Sequence, residues 1–265
     1  MIMTCLLTSL LASVVAADPS GKEGQDFGMF SAAQLQCVIG NNAELGAHRG
    51  WYNGIFSMRD SDTGASPFVE AYAGLNLEHF FDTGQRPKEQ KVFFEPRACP
   101  MTFKRIDERT AELHQDATPT YGVESWTRFE IKDPFYVDMT FRCIPHKPEL
   151  QGGVLGVFWA SYIDAPEDKS MYFLEAGSTL EKPVWAQYCT QEHGRDSTVL
   201  SESDNADIGY AGGQGTLFSS ISPLRYSLPF FYGRVRDKVL IYIFERGPTV
   251  RFSHSPSGGG NAASG

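Results

Sequence analysis

Apolar and polar residues alternate along much of this chain in short runs that end at glycine, proline, asparagine or aspartate. That is the period of half-buried strands rather than of helices. The pattern predicts strands over residues 68–72, 92–95, 101–107, 110–115, 123–131, 136–144, 154–163, 171–175, 184–189 and 239–245, with a short last one at 250–252. Only residues 32–38 invite a brief helix. The clearest unit is YGVESWTRFEIKDPFYVDMTFRCIP, two alternating runs that read as an antiparallel hairpin. Val123, Ser125, Thr127, Phe129 and Ile131 share one face of the first run, and Val137, Met139, Phe141 and Cys143 one face of the second. Both sets must reach the core together. This requires an odd loop, Asp133-Pro134-Phe135 with Lys132 opposite Tyr136, because a one-residue slip turns one set outward.

That register fixes the opposite face, where Glu124, Trp126, Arg128 and Glu130 stand beside Tyr136, Asp138, Thr140 and Arg142. It sets Trp126 near Arg142, as a cation–π contact requires, and Glu130 against Asp138, a like-charge pair that needs Arg128, a cation or a ligand to offset it. Such a face suits sugar binding; a solvated strand face with its own salt bridges is the plainer alternative. Two further hairpins are predicted. In one, residues 154–163 turn through 164–169 into 171–175, with both faces buried; in the other, a strand led by Phe230-Phe231-Tyr232 turns at 234–237 and returns as 239–245. Sheets buried on both faces need a second layer, so the expected fold is all-β, a large antiparallel β-sandwich with helix below roughly 15%, far under the usual third.

Residues 1–17, MIMTCLLTSLLASVVAA, carry no charge, lack the usual Lys or Arg, and are too short to span a bilayer of about 30 Å. With small residues at Val15-Ala16-Ala17 they read as a signal peptide cleaved after Ala17, which implies a secreted or periplasmic protein with no stable membrane anchor after cleavage. Residues 18–30 and the Gly/Ser-rich 253–265 are expected to be flexible, and 31–252 to form a single domain. A net charge of −9 argues against a nucleic-acid partner. Cys37, Cys99, Cys143 and Cys189 contain no CxxC pair; export permits three disulfide pairings, and buried free thiols are the alternative.

No cofactor or metal site is legible along the chain: HExxH, the P-loop and GxSxG are absent, and Asp60-Ser61-Asp62-Thr63-Gly64 lacks the later ligands of a calcium loop. His79 draws attention because GLNLEHFFDTG crowds Asn76, Glu78, His79 and Asp82 into one segment, although strict alternation would put Glu78 and His79 on opposite faces. His193 lies in the charged run QEHGRDST, and FFEPRACPMTF sets Arg97 near Glu95, most simply as an ion pair. The candidate catalytic residues are therefore His79, His193 and Glu130. The candidate substrate-binding residues are Trp126, Arg128, Tyr136, Asp138, Arg142, Arg97 and Asn76.

GLNLEHFFD, FFEPR, WTRFEIKDPFYVDMTFRCIP, VLGVFWASYI and VRFSHSPSGGGN together resemble a group of uncharacterised secreted bacterial proteins, over residues 53–261. The implied architecture is loosely similar to the galactose-mutarotase-like β-sandwich. For the aldose epimerases of that superfamily the resemblance implies histidines, a glutamate and an arginine on a concave sheet face. The expected function is carbohydrate recognition outside the cytoplasm, with sugar-processing acid–base chemistry, against a non-catalytic glycan- or protein-binding module.

Overall fold

The computed structural model describes residues 22–62, 64–147, 150–206, 208, 217–247, 249–258 and 262–264; the expected signal peptide lies outside them. Among the described residues strands make up 46% and helix 6%, so the all-β expectation holds. The first sheet is an antiparallel meander of β1 (Phe27–Ala32), β2 (Leu35–Gly40) and β3 (Gly54–Asp60). β1 falls largely in the segment 18–30 expected to be flexible, and β2 overlaps the expected helix at 32–38. Phe30, Ala32, Leu35, Cys37 and Ile39 point into the core from β1 and β2, which is alternation at period 2 carried across a tight turn.

β4 (Asn76–Phe81) comes next, followed by two single helical turns, α1 (Gln90–Phe93) and α2 (Glu95–Ala98). These replace the strand predicted at 92–95, and Pro96 sits in the first turn of α2, where a missing N–H costs nothing. Then β5 (Thr102–Arg105), β6 (Thr110–Gln115), β7 (Val123–Lys132) and β8 (Tyr136–Pro145) form a four-stranded antiparallel sheet in sequential order. The β7–β8 register sets Lys132 opposite Tyr136, Phe129 opposite Met139 and Trp126 opposite Arg142, as the alternation predicts. β9 (Gly156–Ala160) pairs with β4, not with the segment after 169, so the second predicted hairpin does not form. Residues 68–72 contribute a single bridge, Phe68 to Ile163, rather than a strand. One apolar cluster joins these elements, from Phe30, Ile39 and Ile55 through Leu77 and Phe80 to Leu113, Phe129 and Ile131.

The remaining strands are β10 (Tyr162–Ile163), β11 (Met171–Leu174), β12 (Trp185–Tyr188), β13 (Thr198–Ser201), β14 (Ile221–Tyr226), β15 (Phe230–Val235), β16 (Lys238–Ile243), β17 (Arg251–Ser253), β18 (Ser255–Gly258) and β19 (Ala262–Ser264). They form sheets ordered β12-β11-β15-β16, β14-β13-β17 and β10-β19-β18, in which β13–β14 is parallel. The predicted β15–β16 hairpin is present. Phe173, Val199, Tyr226 and Phe252 build a second apolar cluster. The start of the segment expected to be a loose tail is held in place: His254 and Ser255 are buried, and His254 contacts Thr190 and the Lys169 carbonyl.

All four described cysteines are free thiols. Burial pushes the Cys37 thiol up to about 12. A thiol reagent at pH 8 should therefore leave Cys37 unmodified in the native protein and modify it on unfolding, as mass spectrometry of the labelled peptides would show. Rapid native labelling of Cys37 would contradict its burial on β2.

Candidate functional site

Alternation along β4 breaks at one place. The β4–β9 register shifts between Leu77 and His79, a bulge that takes up Glu78 and brings Glu78 and His79 to the same side. The backbone is repaired there by a buried side chain: Asn53 accepts from Leu77 N at 2.9 Å and donates to Leu77 O at 3.1 Å. Asn53 comes close enough because Gly54, at φ +95°, lies against Leu75, whose carbonyl oxygen would be 2.3 Å from any added Cβ.

Glu78 is consequently buried with four partners. Its Oε1 meets His79 Nε2 at 3.1 Å. Its Oε2 accepts from the Tyr162 hydroxyl at 2.5 Å and Asn76 Nδ2 at 3.0 Å, and lies 3.5 Å from the Arg97 guanidinium. On the other side of the imidazole, His79 Nδ1 donates to Phe93 O at 2.6 Å. A carbonyl only accepts, so Nδ1 carries hydrogen, and Nε2 faces the Glu78 carboxyl. Burial works to raise the Glu78 carboxyl, but the His79 hydrogen bond and charge, the Arg97 charge and the Tyr162 hydrogen bond together hold it below the usual carboxylate range. Burial and the Glu78 charge push the Tyr162 phenol far up, which keeps it a donor.

An aromatic layer covers this network. The Arg97 guanidinium lies 3.7 Å over the Tyr52 ring and 4.7 Å over Phe94, while its Nε donates to Trp51 O. Tyr52, Tyr72 and Tyr162 pack together at 4.8–5.5 Å, all half-buried, and the exposed Arg49 lies over Tyr72. Three predicted residues, His79, Asn76 and Arg97, thus converge on Glu78. Arg97 pairs with Glu78 rather than Glu95, whose carboxylate instead accepts from the Thr120 and Tyr121 backbone. The tyrosines went unpredicted, because they come from three segments with no shared spacing.

The other predicted residues lie elsewhere. His193 sits in an exposed turn, bonded to Ser255 Oγ, beside a Glu192–Arg195 ion pair. Trp126, Arg128, Glu130, Tyr136, Asp138 and Arg142 share the outer face of the β5–β8 sheet. Lys132 bridges Glu130 and Asp138, supplying the cation that their like charge requires. His114 stacks on Trp126 at 4.9 Å and Arg142 lies over the indole at 5.0 Å. β6 and β8 flank β7, so both indole faces are taken and Trp126 offers its edge rather than a stacking platform.

At the end of the same face, His114 Nε2 lies 3.0 Å from Glu124 Oε1 and 3.9 Å from Asp116 Oδ1, and His146 Nε2 lies 2.6 Å from Glu124 Oε2. The two imidazoles hold the Glu124 carboxyl below its usual range. A separate aromatic strip crosses the outer side of the β12-β11-β15-β16 sheet: Tyr172 stacks on Tyr232 at 4.9 Å, and Trp185 meets Tyr232 and Phe230 edge-on. Val239, Ile241 and Ile243 of β16 continue it as an exposed aliphatic row. No protein-family model, curated protein or solved structure matches this chain.

Proposed function

We propose that this is an exported carbohydrate-recognising protein that acts on its sugar by acid–base chemistry, with the Tyr52–Tyr72–Tyr162 layer as the sugar-contacting surface. The observation that carries the reading is Glu78, a buried carboxylate held by Arg97, Asn76 and Tyr162 and set 3.1 Å from the His79 imidazole, next to that layer. Buried, mutually coupled charges contribute little to stability relative to apolar packing, and they gather where protons are moved. Sugars set C–H groups against aromatic rings while charged side chains take their hydroxyls, and the exposed Arg49, by moving off the Tyr72 ring to a hydroxyl, would free that ring for the sugar. In this reading Glu78 and His79 exchange the proton with the sugar, while Tyr162, Asn76 and Arg97 fix the carboxylate.

The alternative, a non-catalytic glycan- or protein-binding module, draws on the Tyr172–Trp185–Phe230–Tyr232 strip, an open aromatic surface with no acid–base pair among its members. A glycan array followed by titration of the best hit separates the two. Tyr72→Ala is expected to weaken binding at least tenfold, about 1.4 kcal/mol, and Trp185→Ala to leave it unchanged. The reverse result moves the site to the β12–β16 sheet. Silence across acidic, neutral and amino sugars would remove the carbohydrate reading.

A further inference from the structure

We propose that His114, Asp116 and Glu124 form a binding site for one divalent transition-metal ion, with zinc as its test ion, and that His146 orients Glu124 within it. Sheet register assembles the site. His114 stands opposite Trp126 and Gln115 opposite Ser125, so the next pair along the ladder brings Asp116 to Glu124 at the end of the face. On the other side of β7, Glu124 pairs with Ile144, and His146 leaves β8 two residues later with its N–H bonded to Gly122 O at 2.8 Å. Three strands thus deliver four metal-ligating side chains to one corner without any spacing motif.

The two histidine–carboxylate distances bracket those of a bound ion. Zinc bonds of about 2.0–2.2 Å in tetrahedral geometry set neighbouring ligand atoms about 3.3–3.6 Å apart. His114 Nε2 lies 3.0 Å from Glu124 Oε1 and 3.9 Å from Asp116 Oδ1, and one ligand atom from each of the three residues falls within 4.8 Å of the others. One imidazole and two carboxylates suit zinc and the ions near it in the first transition row, and three protein ligands leave a position for water.

The surroundings support those ligands. The Trp126 ring stacks on the His114 imidazole and fixes its plane. His146 takes the Glu124 oxygen that His114 does not, so an ion that displaces the hydrogen between His114 Nε2 and Oε1 meets both atoms while Oε2 stays held, the way outer hydrogen bonds orient metal-bound carboxylates. The nearby cation Lys147 is turned to the Pro119 and Thr120 carbonyls. Arg142 stands on the far side of Trp126.

The test is calorimetric titration of the full chain, stripped with a chelator, against zinc chloride, with Cu²⁺ quenching of tryptophan emission as a second readout. One zinc per chain is expected. Asp116→Asn should lower affinity at least tenfold without moving the melting temperature of the metal-free protein, since that side chain is 97% exposed and supports no packing. His114→Ala should abolish uptake, and His146→Ala should weaken it about 10–100-fold. Cu²⁺ should quench the native protein more than Trp126→Phe. No stoichiometric uptake would overturn the site and leave a pair of histidine–glutamate contacts. Uptake that survives both Asp116→Asn and His114→Ala would equally overturn it, by placing the ion elsewhere.

Discussion

Replacing Glu78 by alanine is expected to destabilise the protein by about 3–5 kcal/mol, the cost of removing one partner from a buried ion pair. The carboxylate is the common partner of His79, Tyr162, Asn76 and Arg97. Its loss leaves the Arg97 guanidinium buried against Tyr52 and Phe94 without its counter-charge, and the Tyr162 hydroxyl without its acceptor. Urea denaturation at pH 7 measures this directly, and a cost under 1 kcal/mol would mean the network relaxes into solvent. Acidity supplies a second measurement. The folded Glu78 carboxyl is held below its unfolded range, so its contribution is fully present above about pH 4.3 and falls away as pH drops through the depressed folded value. The stability gap between the native protein and Glu78→Gln should be flat from neutral pH down to mild acid and narrow below it. A gap independent of pH would show that the folded and unfolded carboxyls titrate alike.

The same residues separate two roles. If Glu78 takes part in chemistry, Glu78→Gln should lose turnover of a bound sugar while Tyr72→Ala loses affinity first, because the tyrosine touches the ligand and the carboxylate handles the proton. If Glu78 only supports the aromatic layer, both variants should lose affinity together. Arg97 belongs with Glu78 in this comparison, since its guanidinium contacts both the carboxylate and the Tyr52 ring.

Much of the fold was legible because period-2 alternation survives in the sequence wherever one face is buried and the other wet. The β7–β8 hairpin is the clearest case: one apolar face fixed the register to the residue, down to Trp126 against Arg142. β1 and β2 were missed for a local reason. They meet at Ala33, which takes φ +43° without the glycine or asparagine that normally marks such a turn, so β1 reads as part of a flexible segment and residues 32–38 as a brief helix. The site was only half legible. Asn76, His79 and Arg97 stood out by composition, but a bulge adds one residue without any characteristic side chain, and alternation carried through it placed Glu78 and His79 on opposite faces. Tyr52, Tyr72 and Tyr162, like the His114–Glu124–His146 corner, come together only through pairings distant in sequence.

Phe129→Ala is expected to cost about 3–5 kcal/mol, and Trp126→Ala, three residues away on the same strand, about 1 kcal/mol. Phe129 has no exposed surface; it faces the core from the middle of β7, paired with Ala111 on β6 and Met139 on β8. Removing its ring opens a cavity that three hydrogen-bonded strands cannot collapse to fill. Trp126 points the other way, and its loss costs the cation–π contact with Arg142 and the stack on His114 on a half-exposed face. Phe141 should fall between them, since its ring meets Trp159 edge-on at 5.3 Å but remains half-exposed. Urea midpoints of the three variants, with unchanged m-values, test this ordering. Equal losses for Phe129→Ala and Trp126→Ala would mean that the outer face of the β5–β8 sheet is covered in solution, and the metal corner beside Trp126 would then have to be sought under that cover.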